Sequence, residues 1–182
     1  MDRQFRQIIL HSLVTCVCCI VLGLIIYQGS VFTRTHYAFQ FVTFGIAGSL
    51  FFHTLRLTGV KPALFVLAGL ILIQIVYNRS TDFWLVLRDI LFGVSLASAI
   101  YLFFTKYYAT NKVRGVLTPI TLAALLAATN LVATMALLLL NRTPIVENFP
   151  TLFVNVMLGF LVGFGIGVGI LVSTRALAPS AS

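Results

Sequence analysis

Residues 116–140 read VLTPITLAALLAATNLVATMALLLL, twenty-five positions without a charged side chain. A helix needs ~20 predominantly apolar residues to cross the hydrocarbon core of a bilayer. No water is present there to bond the backbone, and a helix satisfies its own N–H and C=O groups within one segment. Strands of a membrane barrel would alternate apolar and polar residues over about ten positions. This run is continuous, so it predicts a transmembrane helix.

Five further runs fill most of the remaining chain: 8–27, 37–57, 62–77, 83–104 and 151–172. Their connections are short, which makes neighbouring helices antiparallel hairpins. The predicted fold class is all-α, a polytopic membrane bundle of six transmembrane helices in one domain over 1–182. The run at 62–77 is the shortest, and Lys61 can extend it by snorkelling to the interface. Composition agrees: 60% of residues are hydrophobic and 9% charged, where soluble domains carry about 25% charged residues.

The formal net charge of +8 does not point to nucleic acid, because the basic residues flank apolar runs. Arg3, Arg6, Arg56, Lys61, Lys106, Lys112, Arg114 and Arg175 lie on one set of alternate connections. Arg34, Arg79 and Arg142 lie on the other, with Asp82 and Glu147. The excess of Lys and Arg on cytoplasmic loops then places both termini in the cytoplasm, with the plasma (cytoplasmic) membrane as the expected location. The stretch 105–115 has the composition to touch anionic headgroups or a cytoplasmic partner. The first run is too long for a secretory signal and lacks a small-residue cleavage site. Cys16, Cys18 and Cys19 all lie within it, so no disulfide framework is expected, and they read as small packing residues.

The last run carries Gly159, Gly163 and Gly167 at a spacing of four, and the fifth has Ala123, Ala127, Asn130 and Thr134 on one face. Small residues let membrane helices approach closely, and polar side chains then bond across the gap. A tight contact between helices 5 and 6 is the first expectation. A homo-oligomer or partner face on the three glycines is the alternative.

Ionisable residues inside a span are rare and usually face a protein interior or cavity. Arg88 and Asp89 sit ~8–9 Å into the fourth run. Adjacent helix positions point ~100° apart, so each is expected to find its partner on another helix, in water or in a ligand. Gln40, Gln74 and Asn155 map to the same outer depth. Together with Arg88, Asp89 and Trp84 they form the candidate substrate-binding set, while the aromatic belt of the membrane interface is the simpler account of Trp84. A second cluster is His11 and His53, at matching depth near the opposite face. Two facing histidines can hold haem iron, and interfacial bonding to headgroups or backbone is the plainer role. No metal or cofactor is expected beyond that haem alternative.

No phosphate loop, nucleophile elbow or His-Glu-x-x-His stretch occurs, and a non-enzyme is expected. The leading function is a membrane subunit that binds or helps transport a small, anionic molecule from the outer side. The alternatives are a structural or assembly subunit of a membrane complex, and a haem-bearing electron-transfer subunit. In size and topology the chain resembles the small substrate-binding subunits of vitamin transporters, although helix 1 lacks the alanine-spaced contact face of that family.

Overall fold

The computed structural model describes residues 3–29, 35–77, 82–110, 112 and 115–176, and among these it contains helices and turns but no strand. The helices are α1 (Arg3–Gly29), α2 (Thr35–Thr58), α3 (Val60–Tyr77), α4 (Phe83–Phe103), α5 (Leu117–Leu140) and α6 (Phe149–Ala176). Each contains or nearly coincides with one of the apolar runs. Several extend past their run, because the helical hydrogen-bond ladder continues into polar flanking residues. Among the described residues, four stretches are long and apolar enough to cross a membrane: Gln4–Gly23, Phe83–Tyr108, Leu117–Leu140 and Phe149–Arg175. Val60–Val76 is a shorter apolar helix.

Local chemistry sets the helix ends. α2 and α3 are separated by Gly59 alone, at φ +92, a left-handed conformation that glycine adopts without a Cβ clash. Asp82 caps α4, its Oδ1 accepting from the Trp84 N–H at 3.1 Å. At the other end of α4 the helix does not stop at residue 104. It continues as a π-turn through Phe104–Tyr108, where the Ala109 N–H bonds the Phe104 carbonyl at 2.8 Å. The wider turn is supported by Thr105, whose hydroxyl donates to the Tyr101 carbonyl at 2.8 Å. Phe52 on α2 packs against Phe103, Phe104 and Tyr108, so this aromatic cluster holds the C-terminal end of α4 to α2.

α6 packs against α5, α1 and α2, while α4 bridges α5, α2 and α3. The contact between α5 and α6 is the most extensive. A Cβ on Gly163 would lie 2.8 Å from the Ala123 Cα, and one on Gly167 would lie 2.4 Å from the Pro119 Cα. At Gly159 it would meet the Asn130 side chain at 2.7 Å. The three glycines are therefore consumed by the intrachain seam. The alternative of a homo-oligomer face on Gly159, Gly163 and Gly167 is corrected: α5 already occupies that face. Cys19 is likewise a packing residue, with its sulfur against Gly45 of α2 and Gly165 of α6.

The outer surface stays apolar. Leu13, Phe65, Ile73, Val94, Val132 and Phe153 are all exposed. Contiguous exposed apolar surface on this scale is disfavoured in water and suits a bilayer.

Candidate functional site

α4 carries an ion pair inside an apolar helix. The Arg88 Nη2 lies 3.0 Å and its Nε 3.2 Å from the same Asp89 oxygen, Oδ1. The Asp89 side chain is 3% exposed and that of Arg88 28%. This corrects the expectation that neighbours ~100° apart around the helix must look elsewhere for partners. The Arg88 stem is long enough to fold its guanidinium back along the helix surface, and pairing so close by avoids leaving either charge alone in lipid.

Asp89 also borders a void between α2, α3 and α4, with Gln74, Phe44, Ile71, Gly93 and Leu96 around it. The void measures about 20 Å³, enough for one water and far below the ~300 Å³ of a small-molecule pocket. Gly93 makes the α3–α4 approach possible, since a Cβ there would meet the Ile71 side chain at 2.6 Å. A second void of about 10 Å³ lies beside it, bordered by Asn130, Phe92 and Gly159 and sharing Phe44 and Leu96 with the first.

Of the candidate residues, the structure brings together Arg88, Asp89 and Gln74. Trp84 is half-exposed and packs edge-on against Phe83 at 5.4 Å; it borders neither void. Asn155 contributes its backbone: its carbonyl accepts from the Asn130 Nδ2 at 3.2 Å. The side chain of Gln40 lies outside the described residues. Asn130 bonds across the α5–α6 seam, as its place on the small-residue face of helix 5 predicts, and also reaches α4, which the sequence did not show. It accepts the Ser95 hydroxyl at 2.7 Å, and its own carbonyl accepts from Thr134 at 2.8 Å. It thus ties α4, α5 and α6 together. Asparagine on the small-residue face of helix 5 was the available signal, but Ser95 as its partner required knowing how α4 and α5 dock.

The histidine pair also meets. The His11 and His53 rings lie with centroids 5.2 Å apart, tilted by 32°. Iron bound from both sides by bonds of ~2 Å would hold the centroids ~6 Å apart with a porphyrin between them. The rings touch instead, so this arrangement does not fit the haem alternative. Among the described residues no three His, Cys, Asp or Glu side chains converge as a metal site.

The fold and site together define an all-helical protein whose helices are compatible with integral membrane insertion. Comparison with family models, with curated proteins and with solved structures found no match.

Proposed function

We propose that the chain crosses the membrane six times with both termini in the cytoplasm, and that it is a non-catalytic membrane subunit that binds or helps move a small anionic molecule. The observation that carries this reading is the Arg88–Asp89 pair, held inside α4 at the edge of a void that Gln74 shares. Ionisable residues within an apolar helix are costly and commonly mark a functional site, which supports this reading. In this reading the anion exchanges with Asp89 for the Arg88 guanidinium, and Gln74 orients it. The void is water-sized, so binding requires α3 to part from α4 along Gly93 and Ile71. The test is thermal unfolding of the purified protein against a panel of small carboxylates and phosphorylated metabolites. A ligand-dependent rise that vanishes in Arg88→Ala supports the reading. No rise for any compound, or one that Arg88→Ala leaves intact, refutes it.

A structural or assembly subunit is the second reading. It is favoured by a lateral groove of about 430 Å³ between α4 and α5, bordered by Ser98, Ala128, Val132 and Ala136. Small residues at such a surface admit a partner's membrane helix. Co-purification of a stoichiometric partner that Ala128→Phe abolishes would support it.

A further inference from the structure

α1, α2 and α6 meet at a buried polar junction toward the end of the bundle opposite Asp89. His11, Ser12 and Thr15 of α1, Ser49 and His53 of α2, and Ser173 of α6 are all buried there. The His11 and His53 rings lie with centroids 5.2 Å apart, and Phe52 meets the His53 ring edge-on at 5.1 Å. A chain of hydroxyls fixes the proton on His53. The Ser173 hydroxyl donates to the Ile170 carbonyl at 3.1 Å, and Thr15 donates to Ser173 Oγ at 3.5 Å. With its own proton committed, Thr15 Oγ1 accepts from His53 Nε2 at 2.9 Å. A neutral imidazole carries one proton, so His53 Nδ1 bears a lone pair.

That junction suits neutral rings and not charged ones. An imidazolium carries a proton on both nitrogens. His53 Nδ1 and His11 Nδ1 are both buried without a hydrogen-bond partner, so a second proton on His53 meets no acceptor. The rings are inclined by 32°, and neither Nδ1 bonds the other. The groups whose charge reaches His53 are His11 on α1 and Arg56 on α2, the latter three residues on and on the same helix face. α6 brings the Ser173 hydroxyl, and the π-turn after α4 brings Tyr108 against Phe52. The described acids lie elsewhere. Asp82 and Asp89 belong to the start of α4, whose far end meets α2 at Phe52. Glu147 precedes α6, whose far end carries Ser173. A proton taken up here therefore leaves an unpaired buried charge, which is strongly disfavoured until water reaches it.

We infer that His11 and His53 form an acid-sensitive clasp joining α1, α2 and α6, closed while both rings are neutral and opened by protonation. Opening wets the rings, and an imidazole in water titrates near ~6.5. The open form then binds protons that the closed form excludes. The clasp is thus tightest above pH ~6.5 and loosens as pH falls below it. Each histidine that takes a proton on opening favours the open form about tenfold per pH unit, and two together about a hundredfold. Cys19 reports on the same junction. It lies one turn beyond Thr15 on α1, with its sulfur 2.9 Å from where a Cβ on Gly45 of α2 would stand and 3.0 Å from one on Gly165 of α6. The clasp is independent of Arg88 and Asp89.

The test uses the full chain in dodecyl maltoside, with Cys16 and Cys18 replaced by alanine so that Cys19 is the reporting thiol. The rate at which a neutral thiol reagent modifies Cys19 is measured at pH 7.5 and pH 5.5. Each rate is divided by that of the same protein unfolded at the same pH, which cancels the ionisation of the thiol itself. The parent is compared with His11→Gln, His53→Gln and the double variant, since glutamine keeps a polar amide and takes no proton. His36 stays in every variant, so its titration cancels as well. The expected ratio rises about a hundredfold between pH 7.5 and pH 5.5 in the parent, about tenfold in each single variant, and not at all in the double variant. No rise in the parent overturns the inference, as does a rise that the double variant retains. If His53→Gln does not fold, His11→Gln decides the outcome: a rise as large as the parent's overturns the clasp.

Discussion

Gly163→Ala adds one methyl group at the tightest kind of helix contact, and the structure sets its cost. The new Cβ would stand 2.8 Å from the Ala123 Cα, 2.8 Å from the Leu122 carbonyl oxygen and 3.1 Å from the Ala123 nitrogen. Carbon atoms pack at ~3.5–4.0 Å, so α6 must retreat from α5 by ~0.7–1 Å. All three obstacles are backbone atoms, which cannot rotate aside. A gap of that size forfeits a quarter to a half of each neighbouring dispersion contact, and over-packing typically costs ~1–3 kcal/mol. We expect ~2–3 kcal/mol, because the displacement opens the longest seam in the bundle. Gly69→Ala is the control. A Cβ at Gly69 meets nothing within 4 Å, and alanine there removes the ~0.5–1 kcal/mol entropic penalty of a helical glycine. Thermal unfolding in detergent, followed with a thiol-reactive fluorophore in a background where the partly exposed Cys16 and Cys18 are replaced by alanine, reads both: Cys19 is 0% exposed and reacts when the bundle opens. The two variants should shift the midpoint in opposite directions. A Gly163→Ala protein as stable as wild type would refute the close α5–α6 approach.

Three further outcomes follow from particular contacts. Asn130→Leu should lose ~0.5–1.5 kcal/mol, the range for interhelical hydrogen bonds in membrane proteins, and a double-mutant cycle with Ser95→Ala in the same unfolding assay should show a coupling of about half that. Arg88→Gln should destabilise more than Asp89→Asn, because Asp89 is enclosed whereas Arg88 is partly exposed and can snorkel when unpaired; equal losses in chemical unfolding would contradict that asymmetry, and the double variant should recover part of the larger loss. If α5 spans the membrane, single cysteines replacing Lys106 and Asn148 in a cysteine-free background should react with an impermeant reagent from opposite sides. Labelling of both from one side would remove that span.

The helices were legible because a span has a length and a composition that no other element shares. Runs 83–104 and 116–140 coincide with α4 and α5 to within a residue or so. What failed was local. The π-turn at Phe104–Tyr108 looked like loop because Lys106 and two tyrosines end the apolar run, yet Phe52 rewards continued helix there. The Arg88–Asp89 bond was missed because helix periodicity places Cβ atoms and says little about where a long side chain ends. Trp84 and Asn155 shared the depth of Asp89 but not its azimuth. Asn155 meets Asn130 on the α5–α6 side, and Trp84 meets Phe83.

The sequence alone therefore determined an axial coordinate: where the apolar runs lie, and how far along its run each polar residue sits. Residue count converts to depth at a constant ~1.5 Å per residue, so His11 and His53 could be set level before any contact was known. The tertiary structure decided the remaining coordinates, which helix neighbours which and how each is rotated. Those depend on close backbone approach, at Gly163 against Ala123, at Gly93 against Ile71 and at Gly45 and Gly165 against Cys19. Such fits are set by shape across helices distant in sequence, and apolar residues that look alike in a hydropathy pattern are not alike when two backbones meet.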